Sequence, residues 1–545
     1  MNDPSASMRM SDELARQERL LPFLLNPRSY PHRPRAVRLV QTHSSFVFIT
    51  PPWVFKVKKP VNFGFLDFST LERRRHFCER EVELNRRLCP DVYVGVVPIS
   101  VTPAGFAFGT DGPVVEYAVQ MRHLTERHFL DRLLARDAVT TCDLDRIVGQ
   151  LRDFYLAQHP TPAVEAWGRM NRLRISTDEN FRQTRDFVGR TISAAAFAAI
   201  RGFTNGFYRR HAALFAARVR ENRIRVCHGD LHAEHIHLTP RALHIFDCIE
   251  FNDRFRYVDV ANDAAFLAMD LDFEGRPDLS RHFVAKLAAA LQDDGMRGLM
   301  DFYQCYRAYV RGKVESLHSV AHAAPEAERQ ASAARARRYF QLALRYAVAG
   351  PQPLVLVVMG RIAAGKSTLA RALGAELGWE VQSSDRVRKE LAGFPLYERT
   401  AAAARRRLYS PLMTRQIYAR LTNLAVAQAR AGRGIILDAT FARRRQRADL
   451  RAKLARRGVA CCFLEVQAAD TVEKRRLKAR ELQADVVSDA RLEDYDVLTG
   501  LYQAPKELKG SLCVAVQTGT SPEHTVARAL ARLAQAQLGR RDRSP

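Results

Sequence analysis

The run Gly360-Arg-Ile-Ala-Ala-Gly365-Lys366-Ser367 constrains this chain more than any other feature. It matches the pattern G-x-x-x-x-G-K-[ST] in full. An apolar strand, Leu354-Val-Leu-Val-Val-Met359, leads in, and a helix beginning Ser367-Thr368-Leu-Ala-Arg leads out. Glycines let the backbone approach a phosphate where side chains would block it. The loop N–H groups and the helix N-terminus supply positive potential. In that geometry Lys366 reaches the β- and γ-phosphates and the Ser367 hydroxyl ligates Mg²⁺. Gly360, Gly365, Lys366, Ser367 and Thr368 are therefore the expected nucleotide contacts. The bland alternative, a glycine-rich turn, fits less well once strand and helix are both in place.

After Leu354 the chain alternates strand and helix, which predicts a parallel sheet covered by helices. The next strand is expected to end in Val381-Gln-Ser-Ser-Asp385, with Arg388 just beyond. A carboxylate there lies in the ligand crevice and can take a proton from a substrate hydroxyl, while Arg388 can hold an anion. A helix N-cap is the competing role for Asp385. Gly434-Ile-Ile-Leu-Asp438 is an apolar strand ending in an acid, so Asp438 can support Mg²⁺. Arg476 and Arg480 lie one helical turn apart and can close over a phosphate, or form a solvated basic face. With Ser384-Asp385-x-x-Arg388, Leu437-Asp438-Ala-Thr and Ser488-Asp489-Ala490, this half resembles the small P-loop kinases of the gluconate-kinase and zeta-toxin type, over roughly residues 353–540.

Residues before about 349 follow another pattern. A helix is expected over Ser11–Leu25, with Ser11 as its cap, and Pro27–Pro34 breaks it. Strands are predicted at Phe46–Ile49, Val54–Lys58 and Val114–Met121, with a helix near Leu71–Leu88. After Arg122 the chain turns helical, except for a strand–loop–strand unit over Arg225–Glu250. That unit carries Val226-Cys-His228-Gly229-Asp230-Leu-His232-Ala-Glu-His235, then Ala242-Leu-His-Ile-Phe-Asp247. A turn at Thr239-Pro240 lets the two strands bring Asp230 and Asp247 to one cleft. One acid can orient an attacking hydroxyl, and the other can hold the ion that bridges nucleotide phosphates.

This constellation resembles the aminoglycoside phosphotransferase family, itself related to protein kinases. The resemblance implies that Asp230 is catalytic and Asp247 binds metal. It implies that Lys56, in Val54-Phe-Lys56-Val-Lys58, binds ATP with Glu81 as its helix partner. Lys58 points to the same side and is the reserve choice. Met121 falls where the hinge between two lobes would meet adenine. The family's metal-binding asparagine falls at His235, and imidazole suits hard Mg²⁺ less well. Three readings stay open: Asp247 alone suffices, a softer ion such as Mn²⁺ is used, or this half binds nucleotide with little turnover. Small polar residues, Thr42-His-Ser-Ser45, stand where a glycine-rich loop would lie. Lys58–Leu71 and Phe246–Asn252 extend the resemblance to bacterial fusions of such a domain with a P-loop ATPase or kinase.

The expected fold is thus an α+β, protein-kinase-like bilobal domain over residues 1–348, with lobes of about 30–121 and 122–348. A linker at 349–353 and an α/β P-loop NTPase domain with a parallel sheet over 354–545 complete it. The implied activity is ATP-dependent transfer of phosphate to a hydroxyl of an unidentified small molecule, with ATP and Mg²⁺, or Mn²⁺, as cofactors. A regulatory ATPase with a ligand-sensing front half is the alternative. The net charge of +26 raises nucleic acid as a partner. The excess is scattered arginine without a nucleic-acid module, so that class is not expected. Nine cysteines without a C-x-x-C pair argue against a disulfide framework or a structural zinc site. No secretory signal and no apolar run of about 18 residues is seen. A cytoplasmic protein outside the membrane is the expectation.

Overall fold

Side-chain alternation sets the first sheet. Phe55 and Val57 share a face with Tyr30, Phe46 and Phe48, and the period of two turns Lys56 and Lys58 to the other face. The computed structural model describes residues 4–109, 111–321, 324–398, 400, 402–482, 487–519 and 521–541. Six strands form one antiparallel sheet: β1 (Arg38–Gln41), β2 (Ser45–Thr50), β3 (Trp53–Lys58), β4 (Tyr93–Thr102), β5 (Gly105–Phe108) and β6 (Val114–Arg122). Their order is β1-β2-β3-β6-β4-β5. The helix Leu71–Asn85 starts at Thr70, whose hydroxyl accepts from the Arg73 N–H. It buries Cys78 and Val82 against Tyr93 and Val119, and carries Glu81 inward with them. The N-terminal helix runs Pro4–Leu25, so Ser11 lies inside it rather than at its cap.

Four short strands complete this unit. β7 (Ile224–Val226) pairs with β10 (Tyr257–Asp259), and β8 (Ile236–Leu238) with β9 (Leu243–Ile245), each antiparallel. The helix Val260–Phe273 follows and is buried along almost its whole length, with Asn262, Asp263 and Asp270 among its buried residues. By packing, the first unit comprises residues up to Leu173 together with Ala213–Gly298.

The second unit comprises Arg174–Ala212 and the residues from Leu299 onward. Its sheet contains β11 (Leu354–Gly360), β12 (Glu380–Ser383), β13 (Ile435–Asp438), β14 (Ala460–Gln467) and β15 (Cys513–Gln517). All are parallel, in the order β12-β13-β11-β14-β15. Every residue of the central β11 is buried, which explains its unbroken apolar run. The order reverses direction at β11, so a crevice opens beyond its C-terminal end. Helix Ala194–Arg210 packs within this unit on helix Pro522–Arg541; a Cβ at Gly206 would stand 2.5 Å from Leu538 Cδ1. Phe207 stacks on Phe302 with ring centroids 4.6 Å apart. All nine cysteines are free, and no helix among the described residues is long and apolar enough to cross a membrane.

Candidate active sites

β11 ends at Gly360, where φ is +146° and a Cβ would stand 2.3 Å from the Val466 carbonyl oxygen. Gly365, with φ +100°, closes the loop, and helix Lys366–Leu377 begins at the next residue. Only glycine serves at these two positions without strain. Lys366 Nζ donates to the Arg361 carbonyl at 2.7 Å. Ser367 and Thr368 are exposed in the first turn. Asp438, the last residue of β13, is buried and accepts hydrogen bonds from the Ser367 and Ser383 side chains. Burial pushes its carboxyl up, against the pull of Lys366 and those hydroxyls. Burial pushes the Lys366 ammonium down, against Asp438 and Asp385. The Arg480 guanidinium is also lowered by burial, with Asp385 and Asp438 opposing. Two carboxylates, an ammonium and a guanidinium thus interact beyond the C-terminal ends of β11 and β13.

The two arginines of helix Asp470–Glu481 divide their roles. Arg476 Nη1 donates to the carbonyls of Ala363 (3.3 Å) and Ala364 (3.0 Å) and to Thr518 Oγ1 (3.0 Å). It fixes the phosphate loop, whereas Arg480 faces the acids. Beside them lies a cavity of about 350 Å³, lined in part by Gly365, Thr368, Leu369, Arg476, Thr518 and Val526. Thr518 and Val526 are absent from the sequence-level expectation. The signal that finds them is position, since they follow β15 at the same sheet edge.

Three expectations change on this side. β12 stops at Ser383, and Asp385 lies in the first turn of helix Ser384–Ala392 rather than at the strand end. Ser383, not Asp385, is the N-cap; its Oγ accepts from the Asp385 N–H at 3.3 Å. Arg388 is not open to an anion: it is buried, donates to the Leu408 carbonyl at 2.7 Å and lies 4.4 Å from the Tyr409 ring centroid. Asp489 is spent on Thr400, accepting from its N–H at 3.1 Å and its hydroxyl at 2.7 Å.

In the first unit, Lys56 Nζ lies 2.9 Å from Glu81 Oε1 and 2.7 Å from Asp247 Oδ1. Lys58 meets the other Glu81 oxygen at 2.6 Å and also pairs with Glu250. Lys58 is fully buried, while Lys56 keeps a small exposed part. Burial works against the Lys56 ammonium, but Asp247, Glu81 and Glu250 outweigh it and hold it well above its ordinary value. Burial likewise works against the Asp247 carboxylate, and Lys56 and His235 overcome it, holding the carboxyl well below the usual range. Asp247 sits at φ +61°, a left-handed position, with its N–H donated to Tyr93 Oη at 3.2 Å. Met121 stands on β6 opposite Val54 and Tyr93 and packs beside Cys78 and Val82.

The loop between β7 and β8 is held from below. Asp263 accepts from the N–H groups of His228 (3.0 Å) and Gly229 (2.8 Å) and from Tyr155 Oη (2.8 Å). Asp270 accepts from the Ala233 N–H at 2.8 Å. These two positioning acids escape the sequence reading, although a spacing of two helical turns on a buried helix gives them one face. Asp230 is left beside two imidazoles, with His232 Nε2 at 3.4 Å and His235 Nδ1 at 3.6 Å from its Oδ2. His235 Nε2 lies 3.4 Å from Asp247 Oδ2.

His228 adds a pH dependence. Its Nε2 lies 2.9 Å from the Phe246 carbonyl, and its Nδ1 accepts from the Asp230 N–H at 3.3 Å. The neutral ring satisfies both contacts, and burial pushes the imidazole down to about 4. The unfolded chain therefore binds one more proton than the folded one between about pH 6.5 and this value. Stability is complete above that window and falls through it on acidification, by up to about 1.4 kcal/mol per pH unit. Urea titrations at stepped pH should show a shallower decline for His228→Gln than for the wild type.

A family model described as an AAA domain matches residues 355–505. An uncharacterized protein of Mycobacterium tuberculosis is 33% identical over 411 residues, spanning 75% of this chain and 80% of that protein. A counterpart from Mycobacterium bovis shows the same figures, 33% over 411 residues with 75% and 80% covered. Among solved structures, a gluconokinase from Sinorhizobium meliloti 1021 shares 17% identity, covers 36% of this chain and 98% of its own, and has a TM-score of 0.27. The APS kinase of Mycobacterium tuberculosis, in complex with AMPPNP and APS, shares 19% identity with coverages of 34% and 98% and a TM-score of 0.24.

Proposed function

The chain belongs to one family with these mycobacterial proteins, its residues from Leu354 onward form a P-loop NTPase-like domain on a parallel sheet, and we propose that it is an ATP-dependent phosphotransferase acting on a hydroxyl of a small molecule. The observation that carries this reading is the convergence of Lys366, Ser367, Asp438, Asp385 and Arg480 beside one cavity. The Ser367 hydroxyl and the Asp438 carboxylate are oxygen donors and fit Mg²⁺, which when bound neutralises phosphate charge. Lys366 and Arg480 offset the charge that builds up as the γ-phosphoryl group passes to the acceptor. Asp385 takes the acceptor's proton as the new O–P bond forms and ADP leaves. The cavity beside Thr368 and Val526 holds the base.

We assign the first unit a second reaction of the same class, in the manner of a two-lobed protein kinase. Lys56, set by Glu81, meets the phosphates; Asp247 carries the metal; Asp230 is the base; Met121 borders the adenine. Every one of these residues precedes the 349–353 connection, and every residue of the P-loop site follows it. His235 beside Asp247 favours a second reading, in which the first unit senses a ligand and the P-loop unit hydrolyses ATP. The nine free cysteines accord with a cytoplasmic setting.

ATP turnover with Mg²⁺ or Mn²⁺, alone and with a panel of sugars, aminoglycosides and nucleosides, separates the two. Stimulation by one hydroxyl compound that disappears in Asp230→Ala assigns that reaction to the first unit. Acceptor-independent turnover untouched by Asp230→Ala leaves the sensing role and removes phosphotransfer from that unit.

A further inference from the structure

Three side chains of the first unit meet in a way that phosphotransfer does not require. His232, only 3% exposed, and His235 direct ring nitrogens at the same Asp230 oxygen, 3.4 and 3.6 Å away. Their ring centroids are 4.0 Å apart, and one ligand atom from each of the three residues lies within 4.8 Å of the others. We propose that Asp230, His232 and His235 form a site for one borderline divalent cation of the Mn²⁺-to-Zn²⁺ series, separate from an oxygen-ligated Mg²⁺ at Asp247.

The donor set chooses the ion. Two imidazoles and one carboxylate suit borderline metals, whereas Mg²⁺ takes oxygen and gives up its water reluctantly. Bonds of about 2.0–2.2 Å place neighbouring ligand atoms of a tetrahedral ion roughly 3.4 Å apart, close to the two nitrogen–oxygen spacings found here. The loop is shaped before any ion arrives. His232 N–H donates to the Asp230 carbonyl and His235 N–H to the His232 carbonyl, both at 3.0 Å. Asp263 and Asp270 fix the same loop through the N–H groups of Gly229 and Ala233. Phe266 packs 5.4 Å from the His232 ring and limits its rotation.

His235 also has the partner that a metal-ligating imidazole needs. With the proton on Nδ1, the ring donates to the Asp230 carbonyl at 2.9 Å. With the proton on Nε2, it faces Asp247 Oδ2 at 3.4 Å, and the Nδ1 lone pair gives up the Asp230 carbonyl and turns to a cation held with the Asp230 carboxylate, 3.6 Å away. The second setting is the carboxylate–histidine–metal arrangement that orients ligating histidines. A carboxylate bound to a cation cannot take a hydroxyl proton, so such an ion silences the Asp230 reaction. That consequence rests on the phosphotransfer reading; the binding does not.

The test is a Co²⁺ titration of the full chain in excess Mg²⁺, which fills oxygen-only sites, followed by calorimetry. Pulsed electron paramagnetic resonance of bound Mn²⁺ reports nitrogen ligands directly. The expected result is one Co²⁺ per chain, displaced by Zn²⁺, with binding at least about tenfold weaker in His232→Gln and in His235→Asn. Asp247→Asn should keep the affinity within a few-fold, because an amide oxygen still accepts from Nε2. Nitrogen modulation should vanish in the double histidine variant. Circular dichroism verifies that each variant is folded, and Asp230→Asn supplies an independent ligand deletion. Unchanged Co²⁺ affinity in His232→Gln, or loss in Asp247→Asn alone, overturns the proposal. Binding that behaves as expected without any Asp230-dependent phosphotransfer would sink the kinase reading of this unit and leave the metal site standing.

Discussion

Replacing Lys366 with alanine lowers ATP turnover by the second unit at least about a hundredfold, while the unfolding midpoint stays near that of the wild type. The two halves of this expectation have one cause. The Lys366 ammonium donates to one loop carbonyl, and burial works against it more than Asp438 and Asp385 favour it, so the folded loop gains little from it. Once polyphosphate is present, the same ammonium is the group placed to meet the charge that develops in transfer. Lys366→Arg should not rescue, because a planar guanidinium does not reproduce the compact point charge of an ammonium. Turnover within a few-fold of wild type in Lys366→Ala would remove this loop as the phosphate site.

Lys58→Ala should destabilise the first unit by about 3–5 kcal/mol, a larger effect than Lys56→Ala. Lys58 is enclosed between Glu81 and Glu250, with its ammonium 4.7 Å from the Phe68 ring centroid. Its removal strands the buried Glu250 carboxylate, while Glu81 keeps only Lys56. Lys56 shares Glu81 with Lys58, and its other partner, Asp247, is partly exposed and lies beside His235, so its loss strands no enclosed acid. The functional ranking runs the other way: Lys56→Ala should abolish nucleotide binding by the first unit. Urea unfolding paired with nucleotide titration checks both orders. Equal stability losses for the two lysines would contradict the division of labour between them.

Local rules carried the reading of the sequence a long way. The phosphate loop is a contiguous motif whose glycines answer a backbone requirement, and β11 is a short apolar run with glycine at its end. Lys56 and Lys58 share a face by the period of two. What that period cannot decide is which lysine is enclosed; Glu250 and Phe68 decide it from distant positions. β4 and β5 were not legible, since Gly95 and Pro98 interrupt β4 and its pairing with β6 shifts register twice. Ser383-Ser384-Asp385 reads equally as a strand end or a cap, and only the hydroxyl of Ser383 settles it. Arg476 and Arg480 look alike on a helical wheel, yet one reaches loop carbonyls and the other the acids. The fate of Arg388 depends on Leu408 and Tyr409, which its own neighbourhood does not announce.

The second unit begins at Arg174, far upstream of its own sheet, and this has a consequence for how the chain is made. Translation is vectorial, so the aromatic face of Phe203 and Phe207 leaves the ribosome well before Phe302, and longer still before Leu538. At roughly 5–20 residues per second that face waits on the order of tens of seconds for its last partner. An apolar face left waiting in this way is exposed to aggregation, and the exposure lengthens whenever elongation slows.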